Sequence, residues 1–337
     1  MRLLVTGCAG FIGAAVARTA LGDGHEVVGV DNLNDAYAPA LKQWRLDRLA
    51  PLPRFAFVRA DVADRALGAA LAPHGRFDTV VNLAARAGVR DSRRDPWSSV
   101  EANALGALNL LEFCREAGVP KFVQASTSSV YGGAARPFTE ETPPDPRSPY
   151  AASKLAAEAY CAAYHHLYGI DASILRYFTV YGPAGRPDMA VFRFVHWIEE
   201  GRPVVLFGDG RQERDFTHVD DVARATLSAL RPLGCEVVNV GGARPVSMLD
   251  LIALIERATG KAAVVERREA QAADAPATWA DVSKARELLD WAPITPLEDG
   301  IAACVAWRRE HRALAAAALS VSPPPARIEA RFPLSRE

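Results

Sequence analysis

The chain has 337 residues, of which 50% are hydrophobic and 23% are charged, and its formal net charge is −1. This composition is typical of a globular protein with one large domain or two smaller ones. A nearly neutral chain without a lysine or arginine run argues against a nucleic-acid partner, and the lack of 18 consecutive apolar residues argues against a membrane span.

The five cysteines are scattered along the chain and odd in number, and none forms a Cys-x-x-Cys pair. This pattern predicts neither a disulfide framework nor a zinc site, and no other His, Cys and Asp cluster has metal-ligand spacing. Unpaired cysteines fit a reducing compartment, so we expect a cytoplasmic protein.

The first 31 residues predict, in this order, a strand, a glycine-rich turn, a helix, a second strand and an acidic residue. Strands are predicted at 2–6 and 26–30, with a helix ending before residue 22. The turn contains Gly7, Gly10 and Gly13, whose spacing lets main-chain amides and the helix N-terminus approach a pyrophosphate. Asp31 then stands where a carboxylate accepts hydrogen bonds from a ribose 2′-hydroxyl, which favours NAD over NADP. The alternative is a glycine turn needed only for packing.

The alternation of strands and helices continues and predicts a Rossmann-type, doubly wound parallel sheet of the α/β class. Asp61 and Val62 follow the third strand, where they either meet an adenine edge or Asp61 caps the next helix. The further strands are predicted at 55–60, 79–83, 121–126, 172–178 and 236–240, and the helices at 35–49, 97–117, 150–168 and 218–230.

After residue 180 the alternation loosens, which predicts a smaller C-terminal α/β substrate-binding domain. We expect residues 1–180 to form the cofactor domain, with 217–242 returning to it, and residues 181–216 and 243–318 to form the second domain. A polar loop is predicted at 208–215. Other helices are predicted at 191–200, 247–259, 281–289 and 297–317, a strand at 204–207, and a disordered tail at 319–337.

Tyr150 and Lys154 are four residues apart on the predicted 150–168 helix, so they share one face. A phenol titrates at about pH 10, and a nearby ammonium favours the phenolate. The pair therefore offers a proton shuttle for an alcohol being oxidised. The alternative is a partly exposed tyrosine beside a lysine.

Together these features resemble the extended short-chain dehydrogenase/reductase superfamily, and within it the NAD-dependent nucleotide-sugar epimerases, most of all the UDP-glucuronate 4-epimerases. The resemblance extends from residue 1 to about residue 300. The motifs that carry it are Thr6-Gly-Cys-Ala-Gly-Phe-Ile-Gly13, Asp31-Asn-Leu-Asn-Asp-Ala-Tyr37, Asp61, Asn82-Leu-Ala-Ala85, Arg86-Ala-Gly-Val-Arg90, Thr127, Tyr150 with Lys154, Arg176-Tyr-Phe178, Thr179-Val-Tyr-Gly-Pro-Ala-Gly-Arg-Pro-Asp-Met-Ala190 and Arg214-Asp-Phe-Thr-His218.

The resemblance implies a bound NAD, a UDP-sugar substrate and a homodimer formed through the 97–117 and 150–168 helices. Tyr150 takes the proton of the sugar 4-hydroxyl, Lys154 lowers the pKa of Tyr150, and Thr127 binds the same oxygen. The hydrogen on C4 moves to NAD and returns to the other face, so C4 is inverted. The implied cofactor contacts are Gly7, Gly10, Phe11, Ile12, Gly13, Asp31, Asn32, Asn34, Asp61, Val62, Leu83, Ala84, Ala85, Ala87, Asn103, Tyr150, Lys154 and Tyr177.

A 4-keto-glucuronate is a β-keto acid that loses CO₂ when the breaking bond aligns with the carbonyl, so an epimerase must hold the carboxylate away from that alignment. Arg186 offers a fork suited to a carboxylate. The hydroxyls of Thr127, Ser128, Ser129 and Thr179 complete the predicted cluster. The alternatives are ordinary strand-end hydroxyls and a surface arginine.

Other predicted substrate contacts are Arg214 for the diphosphate and Asp274 for the uridine ribose. Members of the family often have an arginine three residues before this acid, whereas this chain has Gln271 there. The assignment of Asp274 to the ribose therefore carries less weight. Phe207 either stacks on uracil or packs in the core, and Arg90 is either a substrate contact or a salt-bridge partner. His218 is expected to pack or cap a helix.

Three other functions compete. Epimerisation of neutral UDP-glucose or UDP-galactose is disfavoured by Arg186 and the hydroxyl cluster. Decarboxylation of UDP-glucuronate is disfavoured because Ser129 occupies the position where related decarboxylases carry an acid. A non-catalytic nucleotide-binding regulator on the same fold is disfavoured by the intact Tyr150, Lys154 and Thr127 set.

Overall fold

Seven parallel strands form the central sheet of the computed structural model, which describes residues 1–270 and 275–321. The strands are β1 (Arg2–Thr6), β2 (Glu26–Asp31), β3 (Phe55–Arg59), β4 (Thr79–Asn82), β5 (Lys121–Thr127), β6 (Asp171–Tyr177) and β10 (Cys235–Val240). Their order is β10-β6-β5-β4-β1-β2-β3, and every neighbouring pair is parallel. This is the predicted Rossmann-type α/β fold, with its topological switch point between β1 and β4.

Helices cover both faces of this sheet and bury its apolar side chains. They are α1 (Phe11–Gly22), α2 (Pro39–Leu49), α3 (Leu67–Leu71), α4 (Pro96–Ser99), α5 (Gly106–Ala117), α6 (Pro149–Tyr168) and α8 (Val219–Ser228). Alternate residues of β1 point to opposite faces, so Leu3 and Val5 lie in one apolar cluster and Leu4 lies in the other. The sheet thereby separates two cores and leaves its carboxyl edge open.

Two predicted helices have different bounds in the structure. The helix predicted from residue 35 begins at Pro39, because proline suits the first helical turn and disfavours a helical conformation in the residue before it. The helix predicted at 97–117 consists of α4, a π-helical stretch Val100–Leu105 and α5. Asn103 lies in the π-helical stretch, a form that often occurs beside functional sites.

The C-terminal half adds two small sheets. One contains β7 (Thr179–Tyr181), β9 (Glu213–His218) and β11 (Pro245–Ser247), and the other pairs β8 (Val204–Phe207) with β12 (Val265–Arg268). The predicted boundary at residue 180 falls inside β7, and β9 begins in what the sequence predicted as a polar loop. Asp215 explains this strand, since its buried carboxylate accepts main-chain hydrogen bonds from Gly242, Ala243 and Ala280. The remaining helices are α7 (Ala190–Glu199), α9 (Met248–Thr259), α10 (Ser283–Leu289), α11 (Leu297–Glu310) and α12 (Arg312–Val321).

The end of the described chain differs from the prediction. The helix predicted at 297–317 is broken at His311, and α12 continues to Val321, so the prediction of disorder from residue 319 is wrong for residues 319–321. The reason is packing, because Ala315 and Ala318 are fully buried in an apolar cluster. The rest of the predicted tail lies outside the described residues.

Candidate active site

A large cavity of about 1450 Å³ opens at the carboxyl edge of the central sheet and is closed on its other side by the C-terminal half. Ligands in open α/β sheets bind in this position. Of the predicted site residues, Asn103 does not line this cavity, and Asp274 lies outside the described residues. Those that line it are Gly7, Gly10, Phe11, Ile12, Gly13, Asp31, Asn32, Asn34, Asp61, Val62, Leu83, Ala84, Ala85, Ala87, Thr127, Ser128, Ser129, Tyr150, Lys154, Tyr177, Thr179, Arg186 and Arg214.

The glycine turn between β1 and α1 is too tight for side chains. A Cβ atom on Gly13 would lie 2.0 Å from the Gly7 carbonyl oxygen, and one on Gly7 would lie 2.8 Å from the main chain of Leu83 and Ala84. Gly7 also has a φ of +66°, which disfavours other residues. Gly10 caps α1, so the helix N-terminus faces the cavity and suits a negatively charged group.

Asp31 ends β2 at the cavity, where its carboxylate is already oriented. It accepts hydrogen bonds from Ala9 N (3.2 Å) and Leu33 N (2.8 Å). Lys42, which was not predicted as a site residue, has its Nζ 3.9 Å from Asp31 and donates to Asn34 Oδ1 at 2.7 Å. Burial lowers the pKa of Lys42, and Asp31 opposes this effect. The sequence places this lysine one helical turn inside α2, but the charge pattern alone does not distinguish it from a surface lysine.

Other predicted cofactor contacts have partners within the protein. Asp61 accepts from Asn32 Nδ2 at 2.7 Å and from the main-chain N of Ala63 at 2.8 Å, so it both orders a turn and lines the cavity. Asn103 Nδ2 donates to Ser153 Oγ (2.9 Å), and its Oδ1 accepts from the main-chain N of Arg86 (2.9 Å). Asn103 therefore braces the loop after β4 against α6.

The hydroxyl of Tyr177 is hydrogen-bonded to Thr226 Oγ1 on α8 at 2.8 Å, and the side chain is buried. The same threonine hydroxyl donates to the Val222 carbonyl at 2.7 Å. Tyr177 therefore lines the cavity while its hydroxyl is held by α8 rather than directed to a ligand.

Tyr150 stands at the start of α6. This helix begins where Ser148 Oγ accepts from Ala151 N and Pro149 occupies the first turn, which fixes the position of Tyr150. Burial raises the pKa of Tyr150, and the charge of Arg186 and a hydrogen bond with Thr127 oppose this effect. The lowering of this pKa was predicted to come from Lys154, whereas in the structure the cation with that effect is Arg186.

Lys154 Nζ donates to the main-chain oxygen of Ala125 at 2.9 Å, and burial lowers its pKa to about 8. The negative charge of Glu158, one turn further along α6, opposes this effect. Glu158 is itself buried in a two-point ion pair with Arg176 (3.0 and 2.7 Å) and accepts from Ser126 Oγ. The buried carboxylate of Glu158 thus helps to keep Lys154 protonated at the floor of the cavity.

The hydroxyl cluster lies beside Tyr150. Thr127 Oγ1 is 3.2 Å from Ser129 Oγ and accepts from Ser129 N at 3.2 Å, which fixes the turn that follows β5. Ser128 and Thr179 line the same cavity. Thr127 therefore places a neutral hydroxyl group beside Tyr150.

Arg186 is held by a residue that the sequence analysis missed. Its Nε and Nη2 donate to the two carboxylate oxygens of Asp188, at 3.1 and 2.6 Å, and Nη2 lies 3.4 Å from the Ala87 carbonyl. Both side chains line the cavity. An Arg-x-Asp sequence in a loop has no periodicity that predicts a contact. The ion pair of Arg186 with Asp188 could therefore not be predicted from the sequence.

The remaining wall is strongly basic. Among the residues that the structure describes, eight arginines and two lysines line the whole cavity, against four aspartates. The Arg90 guanidinium lies 4.9 Å from the centre of the Phe207 ring, and both line the cavity, so Phe207 is not a core residue. His218 caps α8 by accepting from Asp220 N at 3.3 Å, one of the roles expected for it. This excess of positive charge suits a ligand with several negative charges.

Residues 3–241 match the NAD dependent epimerase/dehydratase family. The chain belongs to this family. It is 49% identical to the UDP-glucuronate 4-epimerase of Thermodesulfobacterium geofontis over 310 residues, covering 91% of this chain and 96% of the relative.

Two solved structures are also similar. The UDP-glucuronic acid 4-epimerase of Bacillus cereus, in complex with UDP-glucuronic acid and NAD, is 39% identical with a TM-score of 0.88. The UDP-glucose 4-epimerase of Thermotoga maritima, with UDP-glucose, is 33% identical with a TM-score of 0.86. The match covers 92% of this chain and 99% of each of those chains.

As a member of this family the protein uses NAD, and its residues fit that cofactor. The glycine turn has no room for a Cβ, α1 directs its N-terminus into the cavity, and Asp31 offers a preoriented carboxylate for a ribose. Within residues 1–270 and 275–321 no group of three His, Cys, Asp or Glu side chains is placed to hold a metal ion. Of the helices in the same ranges, none has both the length and the apolar character needed to cross a membrane.

Proposed function

We propose that the protein interconverts UDP-glucuronate and UDP-galacturonate by inverting C4 through a transient 4-keto sugar. The observation that carries this proposal is the position of Arg186, a carboxylate-binding fork beside Tyr150 and the hydroxyl cluster. A UDP-uronate has negative charges on its diphosphate and its sugar, and the basic wall of the cavity matches both.

In this proposal Tyr150, as the phenolate, accepts the proton of the sugar 4-hydroxyl. Thr127 orients the same oxygen, and the ammonium of Lys154 keeps positive charge at the cavity floor. When bound, NAD would supply a reversible hydride acceptor for C4, so that the overall reaction is redox-neutral. Tyr150 gives the proton back when the ketone is reduced.

The carboxylate of the 4-keto sugar is β to the ketone and must be kept out of alignment with it. We propose that Arg186, Ser128, Ser129 and Thr179 hold this carboxylate. Since Asp188 occupies Nε and Nη2 of Arg186, the substrate carboxylate would meet Nη1. The roles of Arg214 at the diphosphate and of Asp274 at the uridine ribose remain part of the proposal.

We further propose a homodimer formed through α5, α6 and the segment before α5. In the single chain, Trp97 is 74% exposed and Leu167 is 63% exposed, so both present apolar surface on these elements. Light scattering on the purified protein is expected to give twice the chain mass, and the mass of one chain would contradict the dimer. The five cysteines are all unpaired, which supports a reducing compartment such as the cytoplasm.

The decisive experiment is to incubate the purified protein with UDP-glucuronate, without added reductant, and to follow the products by NMR. We expect UDP-galacturonate with little CO₂, and no conversion by the matched Tyr150→Phe variant. A UDP-pentose as main product would make the protein a decarboxylase. If UDP-glucuronate is unchanged but UDP-glucose is epimerised, the protein is a neutral-sugar epimerase and the proposed role of Arg186 is wrong.

A further inference from the structure

The helix α12 is anchored on α2 by a cluster of aromatic rings. Where the chain turns between α11 and α12, His311 lies 5.1 Å from Trp44 of α2 and 5.3 Å from Trp307 of α11, and the two tryptophans are 5.6 Å apart. These distances are typical of edge-on and tilted ring contacts. The bend at His311 therefore directs α12 back across α2 instead of away from the protein.

The residues of α12 lie in two different environments. Ala315 and Ala318 have no exposed surface and share an apolar cluster with Leu41 of α2 and with Phe192 of α7. Other residues of the same helix line the large cavity, namely Ala316, Leu319 and Ser320. The helix is therefore part of the cavity wall and is held there by small, tightly packed side chains.

The cluster that holds α12 also reaches the loop after Asp31, which belongs to the part of the cavity that suits the cofactor. Tyr37, at the end of the loop that follows Asp31, packs against the α12 cluster and accepts a hydrogen bond from Arg45 Nη1 at 2.6 Å. Arg45 also donates to the carbonyls of Ala9 in the glycine turn (3.1 Å) and Ala184 (2.6 Å). A continuous set of contacts thus joins α12 to the glycine turn.

We propose that α12 is an additional element of the cofactor-binding site that slows the release of NAD. By packing on α2 and on the apolar cluster that Tyr37 joins, it holds the loop after Asp31 in place, and a departing cofactor must first displace that loop. This proposal rests on the use of NAD by the family and not on the identity of the sugar. Its test is therefore independent of the test of the proposed epimerase activity.

Two variants with the same chemical change test this proposal in the full-length chain. Ala318→Glu places a carboxylate in the packed face of α12, whereas Ala317→Glu places it on the exposed face one residue away. Both proteins are loaded with radiolabelled NAD and chased with excess unlabelled NAD, and retained label is measured by rapid gel filtration. Circular dichroism monitors the fold of each variant.

We expect Ala318→Glu to release NAD about tenfold faster or more than the unchanged protein, and Ala317→Glu to stay within about twofold of it. Equal release rates for all three proteins would overturn the proposal. If Ala318→Glu does not fold, Leu319→Ala takes its place, because it shortens a cavity-lining side chain without burying a charge. Release from Leu319→Ala at the rate of the unchanged protein would equally overturn the proposal.

Discussion

Arg186 and Asp188 form a two-point ion pair on the cavity wall, and their charges act in opposite directions on Tyr150. Arg186 lowers the pKa of Tyr150, and Asp188 raises it, against a background of burial that raises it. Because the phenolate is the form that accepts a proton, these two residues are expected to move the acid limb of the pH–rate profile in opposite directions.

Arg186→Gln removes the cation beside Tyr150, so the pKa of Tyr150 rises further. We expect the acid limb of kcat/KM to move to higher pH and kcat/KM for UDP-glucuronate to fall by about 100-fold or more, from loss of a charged contact. Arg186→Lys is the control, because it retains the charge without the fork. A profile of Arg186→Gln that coincides with that of the unchanged protein would refute the coupling.

Asp188→Asn removes the negative neighbour of Tyr150, so the pKa of Tyr150 falls and the acid limb moves to lower pH. Since Asn offers only one acceptor oxygen, Arg186 loses one of its two fixed contacts, and we expect KM for UDP-glucuronate to rise about tenfold. The measurement is a set of initial rates across pH. An acid limb displaced to higher pH would contradict the electrostatic effect of Asp188.

The sequence predicted the fold and many of the residues that line the cavity better than it predicted the contacts between them. Short continuous apolar runs and the glycine turn are local signals, so β1, β2 and the Gly13 turn were found where they lie. Contacts across loops leave no such pattern. Asp188 beside Arg186 and Lys42 beside Asp31 therefore appeared only in the structure.

Packing between distant segments explains the other differences. The prediction of disorder from residue 319 was wrong for residues 319–321, because α12 packs on α2, more than 260 positions earlier in the chain. Similarly, β9 forms where a polar loop was predicted, because main-chain groups distant in sequence bind the carboxylate of Asp215. Neither partner is visible from the local composition of either segment.

Ser129→Asp is expected to change the fate of the keto sugar. The new carboxylate would lie beside Thr127 and repel a substrate carboxylate from the hydroxyl cluster. We expect epimerisation to fall by about 100-fold or more, with a larger share of CO₂ in the remaining turnover. Ser129→Ala, which removes one hydroxyl without adding charge, should lose only about fivefold. Product ratios by NMR measure both, and unaltered ratios in Ser129→Asp would refute the placement of the carboxylate.

Gly13→Ala tests the fit of the glycine turn to NAD. The added Cβ would lie 2.0 Å from the carbonyl oxygen of Gly7, so the turn must move away from the geometry that suits a pyrophosphate. We expect NAD affinity to fall by about 100-fold or more in a titration of the cofactor-free protein. Gly22→Ala is a matched control on the same helix, because a Cβ there meets nothing within 4 Å. Equal affinities in the two variants would contradict this reading.

Glu158→Gln is expected to weaken both the fold and the ammonium of Lys154. The change leaves the buried guanidinium of Arg176 without its charged partner, which should destabilise the protein by about 3 kcal/mol. The charge of Glu158 also raises the pKa of Lys154 against burial, so its loss takes that pKa below about 8. If charged Lys154 is required, the alkaline limb of the pH–rate profile then moves to lower pH.

The exposed Glu116→Gln on α5 is the control for Glu158→Gln, because its ion pair with Arg115 is on the surface and its loss should leave the stability almost unchanged. Denaturant unfolding measures the stability change, and initial rates between neutral and alkaline pH locate the limb. A destabilised Glu158→Gln with an unmoved alkaline limb would mean that Glu158 supports the structure only. Movement of the limb toward lower pH would instead make Glu158 the residue that keeps Lys154 charged, since purely structural damage lowers the rate at every pH alike.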